Sequence, residues 1–68
     1  MSGGSREPYR IDHVKAVRQL DKSLLVLVAG KKVVIPQSLI DADSEVWREG
    51  DQGTLVIPEW LAIDRGID

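Results

Sequence analysis

Apolar residues in this chain occur in short runs divided by turn-forming residues, a pattern that predicts β-strands joined by tight turns. The run 23–28 is apolar at every position after its serine, which predicts a central strand covered on both faces. A turn at Ala29-Gly30-Lys31 follows, and residues 32–35 predict a strand that ends at Pro36, because proline cannot donate to a ladder. With a strand expected before the turn Asp21-Lys22, these runs predict a tight antiparallel meander.

Residues 9–20 fit two patterns. As a helix, they follow Pro8 in the first turn and carry Ile11, Val14 and Val17 at every third position. As a strand, they place Val14 on one face and Ile11 with Val17 on the other, with a bulge between. The strand is preferred because the following hairpin gives it a neighbour to pair with, and the helix remains the alternative.

The C-terminal region predicts a strand that leads directly into a short helix. Residues 54–57 form the strand, and Pro58 suits the first helical position, where its missing N–H is harmless. Gly66 favours the left-handed conformation that ends a helix. At about 100° per residue, three apolar side chains share one side of this helix and form its predicted buried stripe: Trp60, Ile63 and Ile67.

Residues 45–48 alternate polar and apolar and predict a further strand, the fourth in chain order, before the glycine-rich turn 49–53. The predicted fold is therefore mainly β: a small five-stranded antiparallel sheet or partial barrel, SH3-like or OB-like, with a short C-terminal helix. The alternative is an α+β fold with an additional N-terminal helix. Residues 1–7 are expected to be a flexible leader, and residues 8–68 a single small domain.

Composition limits how such a domain is stabilised. The chain has 68 residues, no cysteine and one histidine, His13, which excludes disulfides, cysteine-based zinc sites and histidine-rich metal sites. A domain of this size buries only about 60% of its unfolded surface, so we expect a homo-oligomer or a bound partner to stabilise it further. No apolar run approaches the roughly 18 residues that span a bilayer, and the expected location is the cytoplasm.

Charge is divided unevenly along the chain. Residues 1–32 hold seven basic and three acidic side chains, a balance of +4, whereas residues 33–68 hold two basic and eight acidic ones, a balance of −6. Such a chain could self-associate head to tail or offer an acidic surface to a basic partner. A duplex nucleic-acid binder would carry a more concentrated basic stripe.

The tryptophans are the most informative candidates for function. Trp60 is expected to pack over the sheet, whereas Trp47 lies beside Arg48, and tryptophan and arginine are favoured anchors at protein interfaces. A protein partner is therefore expected at four residues: Trp47, Arg48, Trp60 and Ile63.

A basic cluster around the first two turns supports the alternative function, binding of single-stranded nucleic acid. The residues that would contact the phosphates are Lys15, Arg18, Lys31 and Lys32. Such sites also use aromatic side chains on which bases stack, and this chain offers only Tyr9 and the two tryptophans. Lysines on edge strands also prevent sheet-to-sheet aggregation.

No set of residues predicts catalysis or a cofactor. His13 has no identifiable acid–base partner, and the serines have no adjacent base. Asp41, Asp43 and Glu45 alternate as in a cation-binding loop, but the glycine and the distant glutamate that a calcium loop requires are missing. We therefore expect no enzyme activity, no cofactor and no metal, and interpret this segment as a solvated turn.

Three segments lie between Lys22 and Gly66, a region that covers about two-thirds of the chain. They are a Lys-Ser-Leu-Leu-Val hairpin, the segment 34–40, and the segment 53–62 with Gly66 after it, whose most specific part is Ile57-Pro58-Glu59-Trp60-Leu61-Ala62. In these segments the chain resembles small phage- and prophage-encoded proteins. The resemblance implies a phage accessory protein, and small phage proteins often bind and inhibit host machinery, including antiviral defence proteins. The predicted function is thus a non-catalytic protein-interaction module that inhibits or modulates a host protein.

Overall fold

The structure, a computed structural model, describes residues 7–67; Asp68 and residues 1–6 of the predicted leader lie outside the described residues. Its elements are β1 (Pro8–Gln19), β2 (Ser23–Val28), β3 (Lys31–Pro36), a 3-10 turn (Gln37–Leu39), β4 (Gln52–Pro58) and α1 (Glu59–Arg65). The strands form one antiparallel sheet in the order β3-β2-β1-β4. The mainly β class, the meander and the C-terminal helix are confirmed.

The first strand resolves the ambiguity of the N-terminal region. Residues 8–19 are a strand, so the alternative with an N-terminal helix is wrong. Ile11 lies opposite Leu55 and Val14 opposite Gly53, so two residues of β1 bulge against one of β4, and His13 in the bulge has a φ of 60°. The extra residue brings Ile11 and Val14 to the same face, where both are buried, and not to opposite faces as predicted.

The hairpin between β2 and β3 turns on two residues. Ala29 has a φ of 50° and Gly30 a φ of 82°, which together make a type I′ turn whose twist matches that of the strands. Alternate side chains of β2 are fully buried, but Leu25 and Leu27 between them are only partly buried. The prediction that both faces of this strand are covered is therefore wrong: at β2 the sheet buries one face and leaves the other partly exposed.

The core lies between the buried face of the sheet and a second layer built from the 37–51 connection and α1. Ile40 and Val46 come from the connection, and Leu61 and Ala62 come from the helix. They pack on the strand residues Ile11, Val14, Ala16, Leu24, Val26, Val28, Val33, Ile35, Leu55 and Ile57. Aliphatic side chains thus form the whole buried cluster among the described residues.

The predicted strand at residues 45–48 is absent, and the sheet is four-stranded and open. The connection still runs along the outer edge of β4: the Asp41 N–H donates to the Val56 carbonyl and the Glu45 N–H to the Thr54 carbonyl, each at 2.8 Å. The two donors are four positions apart in the sequence but the two acceptors are only two positions apart, so no regular ladder can form. The segment covers an edge without extending the sheet, and the sheet does not close into a barrel.

The helix ends at Gly66 as predicted, but it begins at Glu59 and not at Pro58, which is still extended, and it buries a different side. Gly66, with a φ of 71°, ends it in a Schellman motif: the Gly66 N–H donates to the Ile63 carbonyl and the Ile67 N–H to the Ala62 carbonyl. Leu61 and Ala62 are the buried residues. Of the predicted stripe, Trp60 and Ile67 are partly buried against the core, whereas Ile63 is 53% exposed. Apolar residues occur all round this short helix, so its attachment to β4 selects the buried side. No helix within residues 7–67 is long and apolar enough to cross a membrane.

Candidate interaction surface

Trp47 holds the connection together. Its indole N–H donates to the Ser44 carbonyl at 2.8 Å, and its own carbonyl accepts from the Gln37 side chain at 3.2 Å. The half-buried ring also packs against the core. These contacts give Trp47 a structural role that accounts for its presence without a partner.

Asp51 fixes the turn that follows Trp47. One carboxylate oxygen accepts the N–H groups of Trp47 and Arg48, at 3.0 and 2.9 Å. These two hydrogen bonds, with a smaller contribution from the Arg48 charge, lower the pKa of Asp51 from its ordinary value of 3.8. The Arg48 side chain itself is exposed.

The predicted partner-binding residues lie on two separate elements. Trp47 and Arg48 belong to the 37–51 connection, and Trp60 and Ile63 to α1. Trp60 is half-buried and packs against the core, as expected for a residue that covers the sheet. Exposed Arg48 and Ile63 are thus accessible members of the set.

The three alternating carboxylates of the connection point to different partners. Asp41 accepts the N–H of Asp43 at 2.9 Å, Asp43 pairs with Arg10 at 3.9 Å, and Glu45 accepts the N–H of Thr54 at 2.9 Å. No group of three or more potential metal ligands is gathered anywhere in residues 7–67. Each carboxylate here contributes to loop structure.

The basic residues divide between the two sides of the sheet. Arg18 pairs with Leu25 in register, and Lys15 and Lys32 both pair with Leu27, so these three cations share the side opposite the core. Lys31 instead pairs with Val28, whose side chain is buried. Its ammonium nitrogen lies near the end of α1, 3.2 Å from where a Cβ on Gly66 would be. The proposed cluster of four therefore consists of three cations on one side and a fourth on the other.

The side of β1–β3 away from the core is called the open face below. It consists of two cross-strand rows: Arg18–Leu25–Val34 and Lys15–Leu27–Lys32. The two leucines are half-buried and Val34 is 42% exposed, while the three cations are exposed. Within the described residues none of these cations makes an ion pair. An aliphatic centre is thus flanked on both sides by positive charge.

Both edges of the sheet are obstructed. The two-residue turn between β2 and β3 directs the backbone groups of Lys32, Val34 and Pro36 outward along β3. The Arg65 guanidinium donates to the Val34 carbonyl at 3.0 Å, and Pro36 has no N–H to offer. Since the connection lies along β4 on the other side, neither edge offers an uninterrupted row of backbone groups, and contact through side chains is favoured.

The aromatic residues lie away from the open face. The chain has one tyrosine, two tryptophans and no phenylalanine, and Tyr9, Trp47 and Trp60 are all partly buried against the core. The open face therefore has no aromatic side chain on which a base could stack.

Comparisons of the chain with protein-family models, with curated proteins and with solved structures find no match. The geometry of residues 7–67 is therefore the basis for assigning a function. Sequence reasoning found three of the open-face cations but did not group them with Leu25, Leu27 and Val34 in one surface. The available signal was their alternation with the buried residues of β2 and β3, which requires knowing that only one face is covered.

Proposed function

We propose that the protein is a non-catalytic interaction module that contacts another protein through the open face. The observation that supports this proposal is an aliphatic centre that stays partly exposed, flanked by three cations that make no ion pair within residues 7–67. Aliphatic surface with a charged rim is a common composition for a protein interface. Lys and Arg would also increase the rate of encounter with an acidic surface.

Binding of single-stranded nucleic acid is the weaker proposal. Three of its four predicted cations lie together, which favours it, but the chain's aromatic residues pack against the core and leave no stacking platform. Phosphate contacts alone give weak binding that falls steeply with salt.

Self-association stays a prediction, and the open face is a poor surface for it. Two copies placed face to face would bring Lys15, Arg18 and Lys32 against the same residues of the partner copy, and like charges at an interface are unfavourable. Light scattering coupled to size-exclusion chromatography measures the oligomeric state. The wider role as a phage accessory protein that inhibits a host protein also stays a prediction, which the resemblance supports.

The proposed function is tested by selecting binders from a random dodecapeptide library with the full-length protein as bait. The selected peptides are then measured by fluorescence anisotropy against Arg18→Glu and Arg48→Glu, two exposed arginines with the same charge change at different places. Loss of binding in Arg18→Glu, with binding retained in Arg48→Glu, supports the open face. Loss in Arg48→Glu alone would assign binding to the Trp47–Arg48 turn instead.

An oligothymidylate of about the same length as the peptides is used to test the alternative function, binding of single-stranded nucleic acid. We expect at most weak binding that disappears as sodium chloride rises above about 0.2 M. Tight binding that needs Arg18 and survives that salt would replace the protein-interaction proposal with the nucleic-acid one.

A further inference from the structure

We infer that the partner presents an acidic amphipathic helix, whose apolar stripe packs on the open face and whose carboxylates pair with its cations. This inference rests on the proposed function and specifies the partner's chemistry. It follows from the charge of the open face, its width and the interrupted edges of the sheet.

The charge of the open face determines which charge its partner is expected to carry. The two cross-strand rows contain three cations and three aliphatic residues and no carboxylate, and the row through Lys15 continues onto neutral Gln52 of β4. The two ion pairs of the described residues that involve arginine, Arg10 with Asp43 and Arg65 with Asp64, include none of the cations in these rows. A complementary surface therefore carries carboxylates on either side of an apolar centre.

The width of the open face indicates the shape expected of the partner. Lys15 on β1 and Lys32 on β3 are separated by β2, so their backbones lie two strand spacings apart, about 10 Å. An α-helix is about 10 Å in diameter, so one helix can lie over Leu25 and Leu27 with its flanking carboxylates directed at both cations. An extended segment would instead be expected to pair with an edge, but the connection lies along the β4 edge, and Arg65 and Pro36 interrupt the β3 edge at Val34 and Pro36.

A second copy of this chain is the less suitable occupant. Its one described helix, α1, has already buried Leu61 and Ala62 against its own sheet, and its own open face carries the same positive charge. Packing a helix onto an uncovered sheet face is the usual way in which a sheet buries its second side. The structure thus has the geometry of a two-layer domain that accepts its third layer from a partner.

The experiment uses two designed helical peptides with the same leucine stripe, one flanked by glutamates and the other by lysines. Each is titrated into isotope-labelled full-length protein, and amide shifts and affinity are measured. We expect the glutamate peptide to bind, with shifts centred on β1–β3 at Lys15, Arg18, Leu25 and Val34. The lysine peptide should not bind the wild-type protein.

Variants test whether charge pairing is responsible. Arg18→Glu should weaken the glutamate peptide about tenfold, because an attraction is replaced by a repulsion, and Arg48→Glu should leave its affinity unchanged. In a Lys15→Glu, Arg18→Glu, Lys32→Glu variant the preference should reverse, so that the lysine peptide binds and the glutamate peptide does not. These side chains are exposed, and thermal melts of each variant verify that it is folded.

The outcomes separate this inference from the proposed function. If library peptides bind the open face but neither designed helix does, or both bind equally, the acidic-helix inference is wrong and the interaction module stands. If shifts appear at the Trp47–Arg48 turn or along α1, the assignment of the open face is wrong as well. Displacement of the glutamate peptide by oligothymidylate at physiological salt would mean that the face binds polyanions in general.

Discussion

Gly53 lies against the Glu45 side chain of the connection, and substituting it gives a sharp test of how the β4 edge is built. Its φ is 148°, and a Cβ added there would lie 2.6 Å from the Glu45 Oε1 atom. That oxygen accepts the Thr54 N–H at 2.9 Å. Gly53→Ala must therefore strain the backbone and displace the carboxylate from its donor.

The expected cost has two parts. A non-glycine residue in this conformation costs about 1–3 kcal/mol, and loss of an exposed hydrogen bond to a carboxylate adds about 1 kcal/mol. For a domain of this size, each kcal/mol corresponds to roughly 4–8 °C in Tm. We expect Gly53→Ala to lower the free energy of unfolding by about 2–4 kcal/mol.

Gly50→Ala is the matched control. Gly50 has a φ of 95° and nothing within 4 Å of an added Cβ, so its substitution carries backbone strain without the contact. Urea unfolding followed by tryptophan fluorescence compares the two, and Gly53→Ala should cost about 1 kcal/mol more. Adding Glu45→Ala should reduce the cost of Gly53→Ala by a similar amount. Equal costs at both glycines, unaffected by Glu45→Ala, would refute the role given to Glu45.

Three further predictions concern the turn, the helix and the hairpin. Because the pKa of Asp51 is lowered in the folded protein, the ionised carboxylate stabilises the fold above the ordinary value of 3.8, and this stabilisation is lost as pH falls through the folded pKa. Asp51→Asn should therefore be less stable than wild type at neutral pH, and urea titrations should show this difference shrinking in strong acid. Leu61→Ala should lower the free energy of unfolding in urea by about 2–5 kcal/mol and Ile63→Ala by well under 1 kcal/mol, since only Leu61 of the two is buried. Similar costs for both variants would mean that Ile63 is buried, as the sequence predicted. Ala29→Asn should raise Tm by several degrees, because asparagine tolerates the left-handed conformation that Ala29 adopts beside Gly30; an unchanged or lower Tm would contradict a strained alanine.

Much of the local structure could be predicted because it depends on neighbours in the chain. Pro36 ends a strand, Pro58 precedes the helix and Gly66 ends it, each through a backbone property of that residue. The strands around Gly30 were likewise identified from a continuous apolar run and a turn residue. Such signals act within a few positions, so they can be recognised without knowing the fold.

The candidate surface could be predicted only in part. Lys15, Arg18 and Lys32 were grouped correctly as a basic cluster, but Lys31 was included because it is adjacent in sequence. In a strand, adjacent residues point to opposite faces, so Lys31 and Lys32 are separated by the sheet itself. The surface was recognisable only after the register of three strands was known.

The sequence by itself determined the strands of the meander, the C-terminal helix, its caps and the absence of any cysteine-based stabilisation. Only the tertiary structure decided that the bulge at His13 turns Ile11 and Val14 to one face, that residues 41–45 cover an edge without becoming a strand, and that one side of β2 stays open. These features depend on pairing between segments far apart in the chain. A single-residue change of register moves a side chain from the core to the surface, and local pattern does not encode that register.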